Sequence, residues 1–477
     1  MSQATPRGRH DRDMTEGGIA RNLLLFALPL LAGNLFQQLY NMVDTWVIGQ
    51  TGNSAAYAAV GSVGPITNIM IGVFTGLSAG AGVVISRHFG ARDYDGVKRS
   101  VHTAAVMTAA LSLLFTLLGV LLSPLAVRLM LGGEEGEIYR HAVEYLTIYF
   151  AGAAGILFYN MGAGILRAVG DSRHPFYFLI VASLTNIVLD LLFVFAFDMG
   201  VSGVAYATVI AQLVSAVLVT VTLFRTSSSV KLSLQSLGID RAILKRIVII
   251  GIPAAFQLSI TALSNVFVQS YIAGVEGNAD VALGGWTTFS KVDQLLFLPS
   301  QALCLSVTTF VSQNLGAGQV ARARRGLRAA IASSLLITLP LVLLVMLFAP
   351  RLAAVFNPDP SVVEAAALLL STFTPFYLCT CVNQNIASAL RGAGNSTAPM
   401  VIMLSTFVGF RQLYLFLVSR FVSNTLMAVA FGYPAGWLAC VAVITLYYAT
   451  HPLSAKEGRS RKPSPETAKE SLERRGV

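Results

Sequence analysis

A helix that crosses a bilayer must supply about 20 consecutive, mostly apolar residues, because each residue adds only about 1.5 Å of rise. This sequence meets that demand repeatedly. Runs are read at 22–47, 57–86, 100–127, 142–165, 176–197, 201–224, 246–273, 281–314, 328–349, 362–389, 399–419 and 424–450, with short polar turns between them. Several exceed the minimum, which leaves room for tilt or a kink. A 477-residue chain that is 55% hydrophobic and 12% charged has too little polar surface for a soluble globule. The alternating segments of about ten residues that build a β-barrel are missing. The first run is too long and too polar within for a cleavable signal peptide. The predicted fold class is an all-α polytopic membrane protein of twelve transmembrane helices.

Charge then orients the spans. A net charge of +10 would suit a nucleic-acid binder, but the basic residues follow topology instead. With an internal N-terminus, 27 of the 33 Lys and Arg fall on one side, from Arg7, Arg9, Arg12 and Arg21 through Arg322, Arg324, Arg325 and Arg328 to the tail. Arg128, Arg140, Arg351 and Arg420 fall on the other side, and Lys291 and Arg411 lie inside spans. The positive-inside rule therefore places both termini in the cytoplasm, in a plasma or inner cell membrane, with an even span count. No nucleic acid is expected as a partner. Cys304, Cys379, Cys381 and Cys440 all sit in apolar runs, without CxxC spacing or a His cluster. They read as small packing residues rather than metal ligands or disulfides.

The chain also repeats itself. Leu28-Pro29 returns as Ile252-Pro253, the 86–91 stretch SRHFGA as SQNLGA at 312–317, and LRAVGDSRHP (166–175) as LRGAGNSTAP (390–399). The offsets are 224, 226 and 224 residues, in the same order along the chain. Six spans per half make the repeats parallel, related by an axis along the membrane normal. The expected organisation is a cytoplasmic segment (1–21), a six-helix lobe (22–224), a charged linker (225–245), a second six-helix lobe (246–450) and a tail (451–477). The tail is polar and Pro-containing, and disorder is expected there.

These motifs resemble the multidrug and toxic compound extrusion (MATE) transporters over about residues 16–450. The resemblance is carried by Pro29, Gln37, Tyr40-Asn41-Met-Val-Asp44-Thr45, the two Leu-Arg-x-x-Gly turns and Asn186 with Asp190, in that order and spacing. It implies a V-shaped pair of pseudo-symmetric lobes exporting organic, often cationic compounds against a proton or sodium gradient. Some members carry Glu in span seven and Asp in span ten for the coupling cation. Thr261 and Thr380 stand at those positions, so the chain is similar to the DinF-like branch, with coupling in the N-terminal lobe.

Ionisable and polar groups inside a bilayer are costly, so each is a functional candidate. Gln37, Asn41 and Asp44 fall along one face of span one, and Asn186 and Asp190 lie one turn apart in span five. Both of those spans run outward, so the two acids can meet inside the N-terminal lobe. Burial and a second nearby carboxylate each favour the protonated form, so such a pair can take a proton outside and release it inside. Alternatively the two carboxylates, with Asn and Thr oxygens, can hold Na⁺. Thr208 adds an oxygen, and Gln212 lies one turn beyond it. The resemblance maps Pro29, Gln37, Asp44, Asn186, Asp190 and Thr208 onto the N-lobe cavity and its coupling. Pro29 interrupts the hydrogen bonding of an apolar helix and is a candidate hinge or a static kink. In span seven Gln257, Thr261, Asn265 and Gln269 recur at four-residue steps, drifting about 40° per step. The first three join Gln37, Asn41 and Gln212 as candidate substrate-cavity residues. Asp293 in span eight is expected to pair with another helix, Arg411 being one possible partner.

No Walker or other phosphate-cradling motif is present, so the chain has no visible use for ATP, and no cofactor is expected. The function expected is secondary antiport. Inward H⁺, in preference to Na⁺, drives export of an amphipathic, cationic small molecule by alternating access through a monomer. A flippase for lipid-linked sugars would want a strongly basic cavity, for which Lys291 and Arg411 are thin support. An integral-membrane enzyme would want convergent His, Ser or paired acids at the interface, and the six His are scattered. A channel fits a two-lobe repeat with buried titratable groups less well.

Overall fold

The computed structural model describes residues 12–50, 53–133 and 136–454. The expected disorder of the tail falls outside these residues beyond 454, as do residues 1–11 of the N-terminal segment. Hydrocarbon offers no hydrogen bonds to a backbone, so every crossing segment must satisfy its own. The described residues meet that demand with helices alone. They are α1 (Ile19–Gln50), α2 (Ala55–Gly90), α3 (Tyr94–Met130), the bent α4 (Glu137–Ala151 and Ala153–Ala168), α5 (Arg173–Ala196) and α6 (Gly200–Arg225). The second half comprises α7 (Arg241–Ala273), α8 (Ala279–Gly316), α9 (Val320–Phe356), α10 (Pro360–Gly392), α11 (Thr397–Phe421) and α12 (Leu426–Thr450). Each answers one expected span. Polar side chains close several helix starts: Asn53 accepts from the Ala56 amide at 3.0 Å, and Asp240 from those of Ala242 and Ile243 at 2.9 and 3.2 Å.

Two details depart from regular helix. The run read at 142–165 bends by 46° at Gly152, a residue packed so closely on Val209 that a side chain would collide. The last turn of α5, Leu192–Ala196, is a π-turn, and α11 contains another at Ser405–Phe410. Such turns relieve a helix of one residue's register and are frequent at functional positions.

The exterior reverses the rule of soluble proteins. Along α3, Leu113, Leu117, Leu121, Leu125 and Leu129 are all more than half exposed, as lipid-facing residues should be. In contrast α2 and α8 are largely enclosed and line the junction of the lobes. That junction is built on small residues. Gly72, Gly76 and Gly80, four apart on α2, lie directly against Ser259, Ala255 and the Ile247–Gly251 turn of α7. Farther along α2, Gly61 and Gly64 have nothing within 4 Å of where a side chain would begin. The lobes therefore close together at one end and part at the other.

The closed end is where the sequence repeats meet. Gly90 at the end of α2 packs on the Gln313 carbonyl of α8, and Gly316 at the end of α8 packs on the Arg87 carbonyl of α2. Arg87 Nη2 donates across to the Ala393 carbonyl at 2.7 Å, and Gln313 Nε2 donates back to that of Ala168 at 2.9 Å. Within each lobe the matching serine makes the matching bond: Ser86 to the Ala168 carbonyl, Ser312 to that of Gly392. Gly170 and Gly394, in the two Leu-Arg-x-x-Gly turns, both have φ +89°, where a side chain is strained.

Both described chain ends reach this same end of the molecule. The Met14 amide donates to Gln313 Oε1, the Arg12 amide to the Val169 carbonyl, and Arg322 to the carbonyls of Met14, Glu16 and Gly17. Arg324 donates to the Leu453 carbonyl. The segment between lobes is docked rather than loose, since Ser233 and Asp240 amides donate to His102 and Thr103 of α3. Helix α7 starts at Arg241, inside the stretch expected as linker, because Asp240 caps it there.

Helix α1 belongs to both lobes. Its first half, Leu23, Phe26, Ala27 and Leu30, is part of the hydrophobic core of the second lobe, and Ser306 of α8 donates to the Leu23 carbonyl. Its far end, Val47 and Ile48, packs with Val194 and Val204 of α5 and α6. Pro29 lies near the change-over, within an unbroken helix.

Gly76→Leu is expected to cost about 1–3 kcal/mol of stability by overpacking the lobe junction, whereas Gly61→Leu should cost almost nothing. Thermal unfolding of the detergent-solubilised variants checks this, and equal melting temperatures would remove the glycine contact from the account.

Candidate functional site

The acids of α1 and α5 come together. Asp44 and Asp190 face each other in direct interaction inside the first lobe, Asp190 being fully buried. Neither Asp190 oxygen, nor Oδ1 of Asp44, meets a donor in hydrogen-bonding geometry. Asn186, one turn before Asp190, is 1% exposed and both its side-chain polar atoms lack partners, as do Ser183 Oγ and Thr208 Oγ1. Buried polar groups are almost always bonded, so these five side chains carry bonding capacity that their surroundings do not meet. Two facing carboxyls without a cation cannot both remain charged at low cost. The arrangement is suited to binding a proton or a small cation.

Tyrosines surround it. The Tyr40 hydroxyl is within hydrogen-bonding reach of Gln37 and Gln212, and its charge environment is set by Asp44 and Asp190. Tyr145 of α4 lies beside the same group and stacks on Tyr149, with centroids 6.0 Å apart. Gln212, expected in the substrate cavity, lies beside Tyr40. Tyr145 and Ser183 escaped the sequence reasoning, which gave weight to charge and amides, while Tyr40 entered it as part of the span-one motif and not as a site residue. Ser183 was in principle findable, since it shares the Asn186–Asp190 face.

A second feature lies between the lobes. A cavity of about 430 Å³ is bordered by Asn34, Gln37, Gln38 and Asn41 of α1, Asn68 of α2, and Asp293, Gln294, Phe297, Leu298 and Gln301 of α8. Gln37 and Asn41 thus stand on its wall, and Gln38 donates to Gln294 across it at 3.0 Å. Gln37 touches both features.

The three α7 residues expected in the substrate cavity do not border this one. Gln257 is buried and donates to Met403 Sδ of α11, and Thr261 donates to its own helix at the Gln257 carbonyl. Asn265 accepts from Arg411 at 3.1 Å and from Tyr433 at 3.0 Å. The helical drift of about 40° per step carries these side chains toward α11 and α12. The expected pairing of Asp293 with Arg411 is also absent. Arg411 donates to Ser264 at 2.7 Å and lies 4.5 Å from the Tyr433 ring centroid, and Asp293 has no ion pair among the described residues. Thr380, like Thr261, donates within its own helix, to the Tyr377 carbonyl.

Comparison with known proteins adds an independent line. The MatE family profile matches residues 29–192 and again 253–417, one match per half. The chain is 27% identical over 435 residues to the probable multidrug resistance protein YoeA of Bacillus subtilis, covering 90% of this chain and 93% of that protein. It is 29% identical over 352 residues to the FAD transporter of Shewanella oneidensis, covering 72% and 76%. Among solved structures, a MOP superfamily transporter from Pyrococcus furiosus superposes with TM-score 0.88 at 24% identity, over 95% of this chain and all of that one. That structure is titled for a reversed polarity of its binding pocket.

Because Asp44 and Asp190 are isosterically replaceable, removing one charge should relieve the pair. Asp190→Asn is expected to raise stability by about 0.5–2 kcal/mol at pH 8, and by less at pH 5, because holding a proton on the buried pair costs more as pH rises. A melting temperature below wild type at pH 8 would mean that the carboxyls stabilise the lobe instead.

Proposed function

The chain belongs to the MatE family of multi-pass membrane transporters, and from that membership and the facing acids we propose that it is a secondary-active exporter of amphipathic organic cations. The observation that carries the coupling step is the contact of Asp44 with Asp190, supplied by different helices and left without a cationic partner. One proton can be shared there, and Asn186 lies one turn before Asp190 on the same helix. H⁺ is assigned over Na⁺ because Asp190 is fully enclosed and its partner is a second carboxyl rather than a cation. The second lobe offers no replacement, since the hydroxyls of Thr261 and Thr380 are used within their own helices. That pattern supports a place in the DinF-like branch.

Substrate is assigned to the interlobe cavity, where no basic side chain lines the wall. A polyanionic lipid-linked sugar would find no counter-charge in it. The positive-inside distribution assigns the closed end, which both described chain ends reach, to the cytoplasm, so the cavity opens outward. Lobes bounded at 22–224 and 246–450 would then rock about the glycine junction. Helix α1, held by both lobes, connects the acid pair to the closed end, and Pro29 is the point at which its two halves can reorient. All these parts lie in one chain, so a monomer suffices.

Reconstituted vesicles test this directly. An imposed pH gradient, acidic outside, should drive ethidium efflux, a sodium gradient should not, and Asp44→Asn should lower the rate at least about tenfold. Efflux that followed neither gradient, or that ignored Asp44→Asn, would overturn the coupled mechanism. Pro29→Ala should leave the fold intact and slow turnover, read as a fall in maximal rate at unchanged ethidium affinity.

A further inference from the structure

We propose that Asp293 recognises the positive centre of the exported compound, holding a flat lipophilic organic cation against the α8 wall of the interlobe cavity. The proposal rests on the export function above but concerns a residue outside the coupling pair.

Asp293 is the sole acid on a cavity wall made largely of carboxamides. Its Oδ1 is buried without a hydrogen-bond partner. The two basic side chains within the spans of this lobe are engaged elsewhere. Arg411 is tied to Ser264, Asn265 and the face of Tyr433, and Lys291 lies 5.8 Å from the Phe356 ring centroid. A carboxylate in a low-dielectric wall calls for an opposite charge. None is provided among the described residues, so a cationic ligand is the natural partner.

The surroundings narrow the ligand class. Phe297 lies one helical turn beyond Asp293 on the same wall, its ring braced edge-on by Tyr377 at 5.2 Å and by Trp437 at 6.4 Å. A rigid aromatic face beside a carboxylate suits a delocalised cation with a planar body. The carboxamides of Gln37 and Asn41 on the facing helix can bond polar substituents without competing charge. A volume of about 430 Å³ matches a drug-sized molecule rather than an inorganic ion. An anion of nucleotide type would instead meet an uncompensated negative group.

The probe is ethidium, binding to purified full-length protein by fluorescence anisotropy. Asp293→Asn should weaken binding by about tenfold or more, and Asp293→Glu should restore it to within about threefold. Wild-type affinity in Asp293→Asn overturns the proposal. So does failure of Asp293→Glu to recover any of the loss in a monodisperse preparation. A second measurement needs no variant: in wild type, ethidium should protect Asp293 from carbodiimide modification, read by peptide mass spectrometry. Absence of protection, or of any ethidium binding, overturns the assignment. The two proposals separate cleanly. Gradient-driven efflux with unchanged KM in Asp293→Asn sinks this one alone, whereas Asp293-dependent binding without gradient-driven efflux sinks the coupling mechanism alone.

Discussion

Hydrocarbon accepts no hydrogen bonds, and almost every feature of this molecule answers that one constraint. It forces the backbone into helices, turns leucine outward on α3, and makes each polar atom within the spans either bonded or exceptional. Most are bonded locally: Thr108, Ser123, Thr261 and Thr406 all donate to carbonyls one turn back on their own helices. The exceptions include Asp44, Ser183, Asn186, Asp190 and Thr208 in the first lobe, Asp293 on the interlobe wall, and Gln257, Ser300, Tyr377, Asn383 and Asn385 in the second lobe.

The two halves share a frame and differ in chemistry. The frame is visible in paired details, such as Ser86 with Ser312 and Gly170 with Gly394. The difference lies in what fills equivalent helices. Span five of the first lobe carries Asp190, while span eleven of the second carries the buried cation Arg411, held by Ser264, Asn265 and Tyr433. Facing carboxyls on one side and a buried guanidinium on the other set the chemistry of the two lobes apart.

How much of this was legible in the sequence depended on the range of the interaction. Span positions follow from hydropathy, a local property, and all twelve were placed in order. The meeting of Asp44 with Asp190 was also legible, because helix direction and depth suffice to bring them level. Placements that depend on rotation about a helix axis were not. Gln257 and Asn265 turned toward α11 and α12 rather than the cavity, and Arg411 chose Tyr433 over Asp293. The division of α1 between the lobes was also beyond reach. A repeat tells which helices correspond, not which neighbour each one packs against.

The crossing of Gly90 and Gly316 has a consequence in terms of symmetry. Each glycine seats the other helix's carbonyl, and Arg87 and Gln313 exchange bonds in both directions. A contact in which the same patch meets itself across a two-fold axis is isologous, the kind that closes a homodimer. The surface at the foot of either half is thus self-complementary. A single six-helix half carries the greater part of the information needed to assemble side by side with its own copy. Residues 226–240 join the two halves, and the seam keeps its symmetry although one half carries the facing acids and the other does not.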